Sequence, residues 1–247
     1  MHSSVQKLLT RLCYLLIVAL VFSYTRKDQL PDYTSIDQRL LQAPLQQSIA
    51  ASPFNIDFKG RSYQVRPRAS YELHGLIVSH NNPQGIGDIY HDSTSIDTKD
   101  LCVIWGLNVR SNAFNKVRYW SNAWTCYCQW NENGLRFSPS LLSNNHLITD
   151  NDAIRRKISN VGIGDQIKIK GMLVDYQEIG SQGGWRNSSL TRSDSGNGAC
   201  EVVFVKELKV LRSTNRIWRK GFQVALILLA ATLCIKFTLF WFFDTTK

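Results

Sequence analysis

The sequence predicts a mainly β domain, folded as a small, curved antiparallel barrel or as a sandwich of similar size, with one short helix and two flanking transmembrane helices. Three observations lead to this prediction. Apolar and polar residues alternate with period two in several short segments, one segment between them has the period of a helix, and a long apolar stretch lies near each end. The 247 residues are 44% hydrophobic, which is enough for one core of modest size.

The two apolar stretches predict membrane spans. Residues 222–243 carry Lys236 as their only charge and are long enough to cross a bilayer as a helix. Near the N-terminus, residues 7–24 form a shorter segment, which we interpret as an uncleaved anchor with Arg11 reaching its edge; a cleaved signal peptide is the alternative. The lipid bilayer is therefore the first predicted partner of this chain.

The net charge is +10, and much of it lies next to the predicted membrane spans. More than half of the excess lies outside residues 53–212, and Arg212, Arg216, Arg219 and Lys220 come shortly before the second predicted span. Basic residues in this position contact anionic lipid headgroups and act as topology signals. The charge therefore does not point to nucleic acid as a partner, and we expect a protein partner in the membrane or envelope instead.

The part between the spans begins with a predicted linker at residues 25–52, which has sparse hydrophobic residues and room for one short helix near residues 35–42. The folded domain is expected at residues 53–212. Its first strands alternate apolar and polar residues, and Pro67 within them indicates a sheet edge or a bulge.

The remaining elements follow in the order strand, aromatic strand, helix, strand and strand. The run from Thr149 to Gly162 opens with capping-box spacing between Thr149 and Asp152 and predicts the short helix. In the next strand Gly171 shifts the phase of the alternation, which suggests a bulge in a strongly curved strand. One helix among several short, curved strands is typical of an OB-like barrel.

Two blocks of the domain carry a resemblance to known proteins. The first is NNHLITDNDAIRRKISNVGIGDQIKIKGMLV, and the second is GWRNSSLTRSDSGNGACEVVFV. With their Asn-x-His-Leu-Ile segment and their Ser-Ser-Leu-Thr-Arg-x-Asp-x-Gly-x-Gly-Ala-Cys-Glu block, they resemble a family of membrane-anchored proteobacterial proteins that has no assigned activity. The resemblance implies a shared fold and a setting at the bacterial inner membrane, and it implies no chemistry.

An acyl-transfer site can be assembled from residue types in these blocks. Cys200 or Ser189 would be the nucleophile, His146 the base, and Asp194 or Glu201 the group that orients the base. Each residue also has a structural use, because a Cys at the start of an apolar strand is commonly a small buried hydrophobe and Ser and Asp near glycines form turns. His146 falls in an expected helix-entry loop with no second His beside it. The sequence therefore favours a structured loop over a catalytic one.

The same loop is the predicted ligand-binding surface. Its candidate binding residues are Trp185, Ser189, Arg192, Asp194 and Glu201. No metal site and no cofactor are predicted, because Cys126 and Cys128 form a C-x-C pair while Cys102 and Cys200 stand alone. The C-x-C pair is geometrically compatible with zinc. In an exported domain, a disulfide from Cys102 or Cys200 to one member of the pair is the other alternative.

The side of the membrane on which the domain lies is set by conflicting signals. More basic residues flank the spans on the domain side than on the other side, which favours a cytoplasmic domain with reduced cysteines. The signal-like N-terminus and the even number of cysteines between the spans favour export. We expect the cytoplasmic side, with the periplasmic side as the alternative.

Three classes of function remain open. The preferred one is a non-enzymatic binding or assembly module of the bacterial envelope, tethered at both ends. The alternatives are an envelope hydrolase that uses Cys200 or Ser189, and an OB-type nucleic-acid binder that stacks bases on exposed aromatic residues. Trp120, Trp124 and Trp130 share one parity, which predicts that these three face the core instead of a ligand.

Overall fold

The computed structural model describes residues 2–83, 85, 94–191 and 199–243. Three α-helices lie in this part of the chain: α1 (His2–Arg26), α2 (Asp152–Asn160) and α3 (Arg216–Phe243). The strands are β1 (Leu45–Ser48), β2 (Phe54–Phe58), β3 (Arg61–Asn81), β4 (Asp97–Ile104), β5 (Arg118–Ser121), β6 (Cys126–Gln129), β7 (Leu142–Ile148), β8 (Asp165–Glu178) and β9 (Glu201–Ser213). The chain divides into two compact units, one formed by Met1–Gln29 with Thr214–Lys247 and the other by Leu30–Ser213.

The first unit contains two helices that are long and apolar enough to cross a membrane. The mean hydropathy reaches 1.9 in Ser4–Arg26 and 2.2 in Arg216–Phe242. Most of the large apolar side chains on both helices are exposed in this unit, as expected for helices whose surroundings are lipid. Both helices extend beyond the predicted spans 7–24 and 222–243.

The two long helices run antiparallel within their unit. Phe22 packs edge-on against Trp218 with ring centroids 5.3 Å apart, and Lys236 Nζ donates to Thr10 Oγ1 at 2.6 Å further along the pair. The order of these contacts is reversed between α1 and α3. The start of α1 and the end of α3 therefore lie at the same end of the helical pair.

The second unit is built on a seven-stranded sheet with a separate two-stranded hairpin, β5–β6. The strand order is β1-β3-β4-β7-β9-β8, and β3 pairs a second time with β8, so that β3, β4, β7, β9 and β8 form a closed ring of pairings. The sheet is mixed because β9 runs parallel to β7. The other described strand pairings are antiparallel, as the prediction of a mainly antiparallel arrangement has it. The parallel pair is possible because α2 and β8 lie between β7 and β9 in the chain, and parallel strands need such a long crossover connection.

Two predicted irregularities of the strands are confirmed. The register between β3 and β8 shifts at Pro67, and the register between β8 and β9 shifts between Lys170 and Gly171. A Cβ atom on Gly171 would lie 2.1 Å from the carbonyl oxygen of Phe204, so no larger residue fits there without movement of the backbone. The glycine therefore allows β8 and β9 to approach closely at the bend.

The predicted helix is confirmed as α2, but its predicted cap is wrong. The side chain of Asn151 accepts hydrogen bonds from the first-turn amides, whereas the buried Thr149 hydroxyl donates to the carbonyl of Val205 at 3.0 Å. At the other end, the buried Lys99 ammonium donates to the carbonyl of Val161 at 2.6 Å. A cation at the C-terminus of a helix interacts favourably with its dipole, and it ties α2 to β4.

Most of the segment predicted as a linker, residues 25–52, belongs to the second unit, and only its first residues, up to Gln29, belong to the first. It forms two short 3₁₀ helices, Tyr33–Ser35 and Gln38–Leu41, and the strand β1, which pairs with β3. Leu40 is fully buried in the core, so the compact unit begins at Leu30 and not near residue 53. One well-buried leucine in a polar segment is enough to change the boundary, because period analysis does not detect isolated core positions.

The aromatic strand predicted around residue 120 is a hairpin whose outer face is aromatic. Trp120 stacks on Tyr127 with ring centroids 5.2 Å apart. Trp120 is 39% exposed and Trp124 is 50% exposed, while Trp130 is half-buried. The prediction that the tryptophans face the core is therefore wrong for Trp120 and Trp124, because β5 and β6 turn their other face, with Tyr119, towards the sheet. Trp130 packs on Phe137 at the edge of the core, with ring centroids 5.3 Å apart.

Candidate functional site

His146 lies in a buried strand and not in a helix-entry loop. It occupies β7, is 2% exposed, and is the register partner of Asp100 on the neighbouring strand β4. Register partners place their side chains on the same face of a sheet. The imidazole Nδ1–H of His146 donates to Asp100 Oδ1 at 2.6 Å, and both side chains are 2% exposed. The fold therefore builds a buried His–Asp pair from two adjacent strands.

Cys200 lies directly before β9, beside this pair. Because β9 runs parallel to β7 with Glu201 opposite Asn145, the preceding residue lies next to Asn144 and His146. The side chain of Asn144 lies between the two, 3.4 Å from Cys200 Sγ and 3.3 Å from His146 Nε2, and His146 and Cys200 are close enough that each shifts the pKa of the other. The candidate base and the carboxylate that orients it thus come from β7 and β4, and the candidate nucleophile comes from the residue directly before β9.

Asn144 contacts both reactive side chains of this group. Its Nδ2 donates to Cys200 Sγ at 3.4 Å and lies 3.3 Å from His146 Nε2. Asn144 and His146 are two residues apart on β7, so their side chains share one face. An amide donor that points at the sulfur favours its negatively charged form.

The environment holds His146 in its protonated form. Burial acts to lower the pKa of His146, but the hydrogen bond to Asp100, the hydrogen bond to Cys200 and the negative charge of Asp100 outweigh it and raise the pKa to about 9. The positive charge of Arg186 opposes this shift. At neutral pH the imidazole is therefore charged.

The same interactions lower the pKa of Cys200. Burial acts to raise the thiol pKa, but the hydrogen bond and charge of His146 outweigh it, helped by hydrogen bonds with Asn144 and Thr125. The thiolate is the reactive form of cysteine, and a histidine partner is a common way to stabilise it. Cys200 therefore has the electrostatic surroundings of a reactive cysteine, although the sequence pattern suggested a small buried hydrophobe.

A turn of the β5–β6 hairpin covers the thiol. The carbonyl oxygen of Trp124 lies 3.6 Å from Cys200 Sγ, and the hydroxyl of Thr125 lies 4.0 Å from it. The next residue, Cys126, forms a disulfide with Cys102 on β4. Cys126 is therefore committed to a disulfide, which excludes it from the zinc alternative.

A second buried network lies next to this group. Tyr176 on β8 donates its hydroxyl to Asp97 Oδ2 at 2.7 Å, and Arg186 Nη1 lies 3.7 Å from the same oxygen. The guanidinium of Arg186 also lies 6.0 Å from the ring of Trp124, the residue whose carbonyl touches Cys200. Arg186 thus supplies a positive charge at the border of the site.

The other predicted site residues have different positions. Ser189 is buried, and its hydroxyl donates to the carbonyl of Thr191 at 3.0 Å, so it acts within the loop and not with His146. Glu201 is buried on β9, and it is not the group that orients His146, because Asp100 has this position. Trp185 stacks under the guanidinium of Arg66 at 3.5 Å. Two further candidates, Arg192 and Asp194, lie outside the described residues.

Sequence reasoning missed Asp100 and Asn144. Asp100 ends the polar run that precedes the apolar segment LCVIWG, so it reads as the edge of a loop. A period-two reading of NNHLI would have placed Asn144 and His146 on one strand face, but the segment was assigned to a helix entry. Among the described residues, no group of three or more His, Cys, Asp or Glu side chains is arranged to hold a metal ion.

Comparison with known proteins found no match among protein-family models, curated proteins or solved structures.

Replacing Asp100 by Asn should weaken folding in a pH-dependent way. A group whose folded pKa is raised stabilises the fold fully below its unfolded value and loses that contribution as pH rises through the folded value, here about 9 for His146. Asp100→Asn should therefore cost about 3–5 kcal/mol at neutral pH, the scale of a broken buried ion pair. Denaturant unfolding at a series of pH values measures this difference, which should shrink as the pH approaches and passes that value.

Asp175→Asn is the matched control for this prediction. Asp175 is also a buried carboxylate, and it pairs with Arg68 instead of with a histidine. Its effect on the unfolding free energy should stay constant over the same pH values. A constant difference for Asp100→Asn as well would contradict a charged His146.

Proposed function

We propose that this chain is a membrane-anchored, thiol-dependent acyl hydrolase, with Cys200 as nucleophile, His146 as acid and base, and Asp100 as the residue that positions His146. The observation that carries this proposal is that the buried pair of His146 and Asp100, on β7 and β4, lies beside the partly buried thiol of Cys200, directly before β9. A nucleophile within reach of a base that is itself oriented by a third group is the general signature of covalent acyl transfer.

The proposed reaction has two steps. In the first, Cys200 Sγ attacks the carbonyl carbon of an ester, thioester or amide; a C–S bond forms, the bond to the leaving group breaks, and His146 gives its proton to the leaving group. In the second, His146 takes a proton from water, the hydroxide attacks the acyl carbon, and the C–S bond breaks to return the thiolate. Atoms and charge balance over the two steps without a cofactor.

Asn144 is the group best placed to assist the first step. Its Nδ2 lies 3.4 Å from the sulfur, so a carbonyl oxygen bound next to the sulfur would come within reach of this donor. Donors aimed at a developing oxyanion are worth roughly 10²–10³ in rate. Ser189 has no comparable arrangement, which leaves Cys200 as the nucleophile of the two predicted candidates.

We also propose that Leu30–Ser213 is an OB-like barrel. Support comes from the ring of five strands, the helix α2 between β7 and β8, and the parallel pair β7–β9, which together give a small Greek-key arrangement. In this arrangement Cys200 stands at the start of the last strand, after the β8–β9 connection. Ligand sites of OB folds lie on strand faces and their connecting loops, so the site has a position that the fold commonly uses.

A binding or assembly module is the second candidate, and the exposed aromatic face of the hairpin favours it. Trp120 and Tyr127 are stacked and exposed, and Arg118 lies 5.5 Å from the ring of Trp120. Such a face suits a protein or planar ligand of the envelope. A binding module would not use the thiol of Cys200. The Cys200→Ala variant should therefore leave binding at this face unchanged, whereas it should abolish the hydrolysis proposed above.

We further propose that the domain faces the oxidising side of a bacterial inner membrane. The expectation of a cytoplasmic domain with reduced cysteines conflicts with the disulfide between Cys102 and Cys126, which is a bond of oxidising compartments. A domain of this length can be translocated whatever the charge of its flanks. The antiparallel pair of α1 and α3 then leaves both ends of the chain on the cytoplasmic side.

Hydrolysis should depend on Cys200 and His146 and not on the other thiols. In the full chain purified in detergent, turnover of a p-nitrophenyl ester or a thioester should be lost in Cys200→Ala and reduced about 10²–10⁴-fold in His146→Ala. Cys128→Ser is the matched control, because Cys128 is a free, partly buried cysteine of the same domain. Full activity in Cys200→Ala, or loss of activity in Cys128→Ser, would contradict the assignment.

The topology can be tested with fusions at the C-terminus. If the domain is exported, a fluorescent protein fused after the last residue should fluoresce, since it folds in the cytoplasm, and an alkaline phosphatase in the same place should be inactive, since it needs disulfides. Active phosphatase with a dark fluorescent protein would place the domain in the cytoplasm and overturn this part of the proposal.

A further inference from the structure

We propose that the Cys102–Cys126 disulfide regulates the site by fastening the turn Asn122–Cys126 over the thiol of Cys200, and that reduction by a dithiol opens this cover. The inference rests on the proposed function, because it gives the regulation of the same thiol. We refer to Asn122–Cys126 as the cover turn.

The cover turn is closed by its own hydrogen bonds. Asn122 Oδ1 accepts hydrogen bonds from the backbone amides of Trp124 and Thr125, both at 2.9 Å, and the Asn122 amide donates to the carbonyl of Thr125 at 3.0 Å. Asx turns of this kind hold their own backbone without help from neighbouring elements. The turn can therefore move as one piece when its attachment changes.

The cover turn touches the site through weak contacts. The Trp124 carbonyl lies 3.6 Å from Cys200 Sγ and accepts a hydrogen bond from Asn144 Nδ2 at 3.4 Å, and Thr125 Oγ1 lies 4.0 Å from the sulfur. All three distances are at the long end of hydrogen bonds. These contacts place the turn against one side of the sulfur, which is partly buried.

The disulfide supplies the strong attachment. It joins Cys126, the last residue of the cover turn, to Cys102, which is fully buried on β4. Cys102 is the register partner of Asn144, so the anchor point lies beside the residue that contacts both Cys200 and His146. The other strand of the hairpin has its own attachment, a hydrogen bond of 2.8 Å between the hydroxyls of Ser121 and Ser79. Cleavage of the disulfide would remove the covalent attachment of the cover turn while the hairpin stays attached on that side.

The reaction that opens the cover is an exchange with a dithiol. One thiolate of the dithiol attacks the disulfide and forms a mixed disulfide, and its second thiolate resolves it. Two electrons and two protons pass to Cys102 and Cys126, which become thiols, and the dithiol becomes a disulfide. Cys200 takes no part in this exchange and keeps His146 and Asp100 as partners.

Alkylation of Cys200 by iodoacetamide measures the cover directly. The full chain in detergent is treated in three forms, namely oxidised wild type, wild type reduced with dithiothreitol and freed of it, and the Cys102→Ala/Cys126→Ala variant. The modified peptide with Cys200 is quantified by mass spectrometry. We expect several-fold faster alkylation in the second and third forms than in the first. The Cys128→Ser variant, as matched control, should behave as wild type in both redox states.

Equal alkylation rates of Cys200 in all three forms would overturn the proposed regulation by the disulfide. Loss of the thermal unfolding transition on reduction would also overturn the proposed regulation, because the disulfide would then be needed for folding and not for access to Cys200. If the double variant does not fold, the comparison of oxidised with reduced wild type is the test. The pH dependence of the same rates separates the two proposals. If Cys200 reacts with the pH profile of an ordinary thiol in every form, the proposed hydrolase fails, whereas a low-pH profile with equal rates removes only the cover.

Discussion

The ion pair between Asp100 and His146 is the interaction on which the candidate site depends. Both side chains are almost completely buried, and a buried charge is tolerated only where a partner compensates it. The pair keeps His146 charged, fixes the orientation of its ring and thereby lowers the pKa of Cys200. A neutral polar pair at these two positions could also form a hydrogen bond between the strands β4 and β7. The presence of a charged pair beside a thiol is therefore better explained by chemistry than by stability.

The order of the strands is what brings these residues together. Asp100 and His146 meet because β4 and β7 are antiparallel neighbours, and Cys200 joins them because β9 runs parallel to β7. The bend at Gly171, where β8 and β9 come within van der Waals reach of each other, belongs to the same ring of pairings. The disulfide at Cys102 then connects the hairpin to the same strands. One sheet thus positions the nucleophile, its partners and the turn that covers it.

Local features of the fold could be predicted from the sequence, and long-range pairings could not. The helix α2, the bulges at Pro67 and Gly171 and the two apolar helices each follow from a pattern within a few residues. The role of Asp100 depends on a strand pairing across a gap of about fifty residues, which no local pattern reports. Leu40 and the tryptophans of the hairpin were misjudged for the same reason, since period alone does not say which face meets the core. Cys200 and His146 were found as residue types, but their contact required the parallel pair β7–β9.

The titration of the Cys200 thiol tests the central claim most directly. The ultraviolet absorbance of the thiolate can be followed with pH as the difference between the oxidised full chain and its Cys200→Ser variant. If Cys200 and His146 form the pair described here, the thiolate signal persists well below the ordinary pKa of cysteine, and Asp100→Asn moves its midpoint upwards. A midpoint at the ordinary value, unchanged by Asp100→Asn, would contradict the account.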